Sequence, residues 1–197
     1  MLVFVKERLV FLSVPKTGTT AYQAALSERA DMVVRDPPLL KHAPVYRYNR
    51  FFRPMFEKAC GVELELMAVM REPVSWLGSW YRYRRRPFMA DKPNNTFGVS
   101  FDDFLRAYMK GDRPGFADVG SQFNFMKSHP NGTGISHYFR YEDQPRLQAF
   151  LQERLDVSLK LERQNVSPSM DIALSPDVEK RFRRKCADEF ALYDSIP

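Results

Sequence analysis

Residues 9–24 read LVFLSVPKTGTTAYQA. The apolar run Leu9, Val10, Phe11 and Leu12 is long enough for a buried strand and too short for a helix. A turn holding Pro15, Lys16 and Gly18 follows, and Thr19 and Thr20 fall in the first turn of a helix. Strand, tight loop and helix N-terminus in that order gather free backbone N–H groups and the positive end of a helix dipole around one point. Lys16 adds a cation beside them. The spacing predicts an anion site, whose usual guest is phosphate.

Outward from this stretch, residues 2–5 either pair with residues 9–14 as a hairpin around Lys6-Glu7-Arg8 or form an edge strand. Residues 20–29 read as a helix with Tyr22, Ala25 and Leu26 on one side, and residues 32–34 as a short strand stopped by Asp36-Pro37-Pro38. Strand, helix and strand imply a parallel sheet with a right-handed crossover. A helix over 45–58, opened by Pro44, places Val45, Tyr48, Phe52 and Met55 on its buried stripe. Residues 64–70 form the next strand and run through Arg71-Glu72-Pro73 into a helix carrying Trp76, Ser79, Trp80 and Tyr83. Residues 87–98 read as a surface excursion and 101–109 as a helix capped by Ser100, with a short helical piece over 122–127. A strand over 135–141 and a helix over 147–155 come next. One long helix from Ser175-Pro176-Asp177 packs Val178, Phe182, Cys186 and Phe190 inward.

Composition narrows the ligand class. The 197 residues are 44% hydrophobic and 14% aromatic, enough for a sizeable core in one domain over residues 1–197. Thirty Lys and Arg against 24 Asp and Glu give a net charge of +6, which favours an anionic partner: nucleic acid, an anionic cofactor or an acidic glycan. Only Cys60 and Cys186 are present, which indicates neither a disulfide framework nor a zinc site and suits a cytoplasmic location. Lys6-Glu7-Arg8 breaks the apolar N-terminus, so neither a signal peptide nor a transmembrane helix is expected. The sequons at Asn94, Asn131 and Asn165 then read as chance matches.

Three groups carry candidate chemistry. In the common nucleotide loop G-x-x-x-x-G-K-[ST] the lysine follows the last glycine. Here Lys16 precedes Gly18, so it approaches a terminal phosphate from the strand side, where a leaving oxygen could sit. Arg71 at a strand end and Ser79 two turns into the following helix can face one another across a small anion, the natural guest being a phosphate on a ribose. His42, in Lys41-His42-Ala43-Pro44, is a candidate general base at the edge of an anion site. His129 precedes Pro130 in a polar loop and His137 alternates within a strand, so both read as structural. The run Tyr81-Arg82-Tyr83-Arg84-Arg85-Arg86 is the densest positive patch. It reads as a nucleic-acid grip, as a lining that attracts an acidic acceptor, or as a solvated face.

The lysine loop and the Arg71 motif together resemble the sulfotransferases that use 3′-phosphoadenosine 5′-phosphosulfate (PAPS), particularly their carbohydrate-type branch. The family's P-K-[TS]-G-[TS]-[TS] loop matches residues 15–20, and its R-[DN]-P-x-x-x-x-x-S segment matches Arg71, Pro73 and Ser79, with Glu72 in place of Asp or Asn. The resemblance implies that Lys16, Thr17, Gly18, Thr19 and Thr20 bind the 5′-phosphosulfate, with Lys16 on the bridging oxygen of the leaving phosphate. Arg71 and Ser79 would bind the 3′-phosphate. The His42 segment looks like the one that supplies the base in the carbohydrate branch; Glu72 and Glu142 are the alternative carboxylates. Arg140-Tyr141-Glu142-Asp143 and Asn165-Val166-Ser167 resemble later landmarks of the family, and Ser167 joins the cofactor set on that basis alone.

The implied fold is α/β, three-layer α/β/α with a mostly parallel central sheet of four or five strands, like the P-loop nucleotide kinases. The implied reaction moves a sulfuryl group from PAPS to a hydroxyl, leaving the bisphosphate PAP, without a metal ion. A glycan or glycolipid is the first expected acceptor, with small alcohols and peptide tyrosines open; no stable nucleic-acid complex is expected. Two other readings are a P-loop small-molecule kinase, which should carry its lysine after the glycine and an aspartate where Arg71 ends its strand, and a basic nucleic-acid-binding protein.

Overall fold

Alternating side chains build a sheet that is apolar on both faces. The computed structural model describes residues 1–128, 130, 132–161, 170 and 172–197. Strands β1 (Leu2–Phe4) and β2 (Leu9–Phe11) pair antiparallel around the charged turn, and β3 (Met32–Val33) pairs antiparallel on the other side of β1. Strands β4 (Glu65–Met70) and β5 (Ile135–Arg140) continue the sheet from β2 in parallel, giving the order β3-β1-β2-β4-β5. Four strands therefore point one way and β1 runs against them. The hairpin alternative holds, and β1 is an interior strand. The parallel relation expected between the strands on either side of α1 holds: β3 runs in the same direction as β2, with β1 lying between them.

Successive strand residues face opposite sides. Leu2, Phe4, Leu9, Phe11, Met67, Val69 and Phe139 form one face and pack against Tyr22 and Leu26 of α1 (Thr19–Leu26) and Leu147, Leu151 and Leu155 of α8 (Gln144–Leu155). Val3, Val10, Leu12 and Leu66 form the other and meet Val45 of α3 (Val45–Arg47), Tyr48, and Phe56 of α4 (Arg53–Cys60). The result is three layers, α/β/α. Each fully buried Leu, Val or Phe contributes about 1.5 to 3 kcal/mol over its exposed state.

The helix expected over 45–58 is corrected in register. Between α3 and α4 the chain makes a π-helical turn, Tyr48–Phe52, closed by the Arg53 N–H donating to the Tyr48 carbonyl. Pro54 explains it. It has no N–H for an ordinary helical bond, and its ring crowds the carbonyl four residues back, so the helix widens there. The inner stripe becomes Tyr48, Phe52 and Phe56, and Met55 turns outward to 40% exposure. A short helix α2 (Pro38–Lys41) precedes it where a loop was expected.

The chain forms two compact units, one of Met1–Arg71, Gln122–Asn165 and Ile196–Pro197, the other of Glu72–Ser121 and Val166–Ser195. Neither is continuous in sequence. The sheet belongs to the first, which also holds α7 (Gln122–Met126). In the second, α5 (Pro73–Tyr83), α6 (Phe101–Tyr108), α9 (Pro176–Lys185) and α10 (Ala187–Ser195) enclose an aromatic core that includes Trp76, Tyr81, Phe104, Tyr108 and Phe182. Ser100 caps α6 as expected, accepting from the Asp103 N–H at 3.1 Å. Two expectations are corrected in this unit. The last helix breaks at Cys186 into α9 and α10, and the Ser175 hydroxyl donates to Asp102 instead of capping α9. The excursion at 87–98 is anchored, with Met89 and Thr96 buried and the Thr96 hydroxyl donating to the Tyr81 carbonyl at 2.9 Å.

The π turn gives a direct check on register. Phe56→Ala should cost about 3 to 5 kcal/mol of unfolding free energy, whereas Met55→Ala should cost less than about 1 kcal/mol. Urea denaturation measures both, and equal costs would contradict the register.

Candidate functional site

The loop leaving β2 is pinned from within. Ser13, Val14 and Thr17 are buried, and the Thr17 hydroxyl donates to the Val14 carbonyl at 2.8 Å. That bond ties the loop into a tight turn and leaves Thr17 its backbone N–H as the group to offer a ligand. Gly18, the residue before α1, has φ +73°, and a Cβ there would come 3.1 Å from Tyr141 Cε2. Both facts demand glycine. Lys16 also sits in the left-handed region, at φ +65°, where an L side chain is strained by about 1 to 2 kcal/mol. The N–H groups that open α1 at Gly18, Thr19 and Thr20 have no carbonyl a turn earlier to bond. A helix start of this kind can receive an anion, with the strained lysine at its entry.

Arg71 is delivered beside this loop by the next parallel strand. Its backbone is clasped on both sides by the buried Gln122: Arg71 N–H donates to Gln122 Oε1 at 2.9 Å, and Gln122 Nε2 donates to the Arg71 carbonyl at 2.8 Å. Its guanidinium stacks over the Tyr141 ring, 4.5 Å from the centroid, with one nitrogen 3.5 Å from the Lys16 carbonyl. Tyr141 therefore lies against Gly18 and under Arg71. The Tyr141 N–H extends the β4–β5 ladder by donating to the Met70 carbonyl at 2.7 Å, and Gln144 Nε2 donates to the Tyr141 carbonyl at 2.5 Å. Gln144 also accepts from the Tyr22 hydroxyl of α1 at 2.7 Å. Lysine loop, arginine and tyrosine thus leave the carboxyl ends of three parallel strands, the end where open α/β sheets bind ligands.

His42 joins the loop from α2. Its Nδ1 lies 2.6 Å from the Ser13 carbonyl. A carbonyl only accepts, so Nδ1 carries the hydrogen and Nε2 keeps its lone pair. Burial of the half-buried ring lowers its pKa below the ordinary 6.5; the Ser13 bond opposes this, and Lys41 and the N-terminal ammonium add to the lowering. Neutral at pH 7 with Nε2 bare, His42 is equipped to accept a proton. The Ser13 hydroxyl in turn accepts from Gln23 Nε2 of α1 at 3.1 Å.

The other expected residues lie on other elements or outside the described residues. Ser79 is buried on α5, in the second unit. Glu72 caps α5, accepting from the Ser75 N–H at 2.7 Å. Glu142 is exposed beside Tyr141. His137 pairs with Glu65 at 2.9 Å, which also takes Arg154 at 2.6 Å. Ser167, Asn165, Asn131 and His129 lie outside the described residues. Much of the arginine run is occupied locally. Arg84 is buried, donating to the Gly115 and Asp118 carbonyls at 2.6 and 2.8 Å, and Arg85 donates to the Tyr81 hydroxyl at 2.6 Å. Among the described residues no group of three or more His, Cys, Asp or Glu is placed to hold a metal ion, and no helix is long and apolar enough to cross a membrane.

No protein-family model and no curated protein matches the sequence. Among solved structures, mouse sulfotransferase SULT7A1 complexed with PAP is similar over 96% of this chain and 66% of that one, at 17% identity and a TM-score of 0.43. The chain spans 66% of that protein's length.

Two measurements check the site's geometry. Lys16→Gly should be more stable to urea than Lys16→Ala by about 1 kcal/mol, because only glycine relieves the left-handed strain; the reverse order would place Lys16 in an unstrained loop. Nitrogen-detected NMR of His42 should show the Nδ1–H tautomer and a titration midpoint below 6.5. An Nε2–H tautomer or a raised midpoint would remove the lone pair from where a base needs it.

Proposed function

We propose that this site transfers a sulfuryl group from PAPS to a hydroxyl, probing the same carboxyl-end cradle with the donor's phosphates. The observation that carries the reading is the coupling of two opposite groups through one loop root. His42 is bonded to the Ser13 carbonyl, and three residues later the same loop presents Lys16 at the helix start. Acid and base are both needed. The acceptor oxygen attacks sulfur and gives its proton to His42 Nε2, while the bond from sulfur to the bridging oxygen breaks and Lys16 with the α1 N–H groups meets the charge on the departing phosphate. Transfer of this kind resembles phosphoryl transfer in being a matter of alignment and charge neutralisation.

Arg71 takes the ribose 3′-phosphate in this reading, its guanidinium already held over the Tyr141 ring. The resemblance alone assigns Ser79 and Ser167 to the donor, and the same resemblance makes a carbohydrate or glycolipid hydroxyl the acceptor. A kinase reading is the weaker one, since Arg71 stands at the strand end where an aspartate would hold magnesium.

Thermal unfolding with adenosine 3′,5′-bisphosphate, ATP with magnesium, or an oligonucleotide separates the readings. Bisphosphate at a hundred times its Kd should stabilise the fold by about 2.7 kcal/mol. A shift with ATP and none with the bisphosphate would sink the proposal. Lys16→Ala should abolish turnover and Arg71→Ala should mainly weaken bisphosphate binding. Turnover itself should be level at pH 7 and fall on acidification below 6.5, as His42 gains the proton it must lack. His42→Ala should remove that limb along with most of the rate.

A further inference from the structure

Between β3 and β4 the chain exposes five large apolar side chains, Leu39, Leu40, Tyr46, Phe51 and Met55, the first to 68% and Phe51 to 56% of their full area. The π turn is what groups three of them. A step of five from Tyr46 to Phe51 crosses the widened turn, and a step of four from Phe51 to Met55 crosses α4. All three rise on the outer side while Tyr48, Phe52 and Phe56 fill the inner one. Cations share that outer side. Arg50 lies with its guanidinium 5.3 Å from the Phe51 ring centroid and Arg47 5.5 Å from that of Tyr46, and Lys58 follows one turn on. Arg47 also donates to the Leu39 carbonyl at 2.6 Å, joining α2 to the same surface. The acid of this helix, Glu57, is paired with Arg53 at 2.6 Å.

Long cationic stems lying along exposed aromatic rings suit a boundary that is apolar beneath and anionic above. We propose that the outer face of α2, α3 and α4 docks on an anionic lipid bilayer. Leu39, Tyr46, Phe51 and Met55 enter the boundary between headgroups and acyl chains, and Arg47, Arg50 and Lys58 meet lipid phosphates and carboxylates. The docking does not rest on the proposed sulfuryl transfer.

Flotation of the full chain with phosphatidylcholine vesicles, with and without phosphatidylserine, tests it at low and high salt. Capture is expected on the phosphatidylserine vesicles, little on phosphatidylcholine alone, and less as salt rises. Arg50→Ala and Lys58→Ala should each weaken capture about fivefold, and Phe51→Ser about tenfold or more, with far-UV circular dichroism melts confirming that the variants fold. No capture, equal capture on neutral vesicles, or capture unchanged in Phe51→Ser overturns the docking. Bisphosphate stabilisation is read separately: if it persists without vesicle capture, docking fails and the transfer reading stands, and the opposite pair of results fails the transfer reading alone.

Discussion

At Ser13 the chain has left the sheet but not the core. A carbonyl and a hydroxyl buried there cost free energy unless each finds a partner. His42 donates to the carbonyl and Gln23 to the hydroxyl, and Gln23 also reaches the Val34 carbonyl at 3.4 Å. One residue thereby fixes α1, the exit of β3 and the end of α2 to the root of the lysine loop. The tautomer of His42 and the path of the Lys16 loop follow from satisfying those buried groups, so the candidate chemistry is anchored by the same bonds that hold the fold.

A second set of bonds acts one strand over. Gln122 spends its whole amide on the backbone of Arg71, and Tyr141 spends its ring on Gly18 and on the arginine's guanidinium. Arg71 is thus fixed at both its backbone and its charged end. The cost lies in the left-handed Lys16 and in a left-handed glycine packed close under the Tyr141 ring. A loop already held in this strained form beside an arginine and a histidine would not have to be ordered at the moment of binding.

The local signals in the sequence were sound where one element decides its own form. The apolar runs from Leu9 and over residues 64–70 placed the strands that matter, and Pro15, Gly18 and Ser100 marked loop and cap correctly. Legibility ended where a distant partner decides. Nothing near Leu2 says that β3 will pair on its far side, because that choice lies in sheet assembly. Gln122 and Gln23 look like ordinary polar helix residues until the backbone groups they serve are brought to them. Pro54 was a readable signal for the widened turn, and the apolar period across it argued for an unbroken helix instead. The break at Cys186 has no proline or glycine to announce it. Arg84 sits in a run that suggests a solvated or ligand-gripping surface, yet it is consumed by two loop carbonyls.

Strands β4 and β5 are adjacent in the sheet, yet the chain between them departs to build much of the second unit before it returns at Gln122. Parallel pairing across so long an excursion must close a large loop before any ladder bond repays it, which slows folding. A ribosome-bound chain would already hold β1, β2, β3 and β4 while β5 is still unmade, leaving the parallel edge of β4 open. The arginine that ends β4 would wait there without its tyrosine or its glutamine. Assembly of the Lys16, Arg71 and Tyr141 cluster is therefore a late event, coincident with sealing of that edge, and the order of synthesis makes the candidate site a reporter of completed folding.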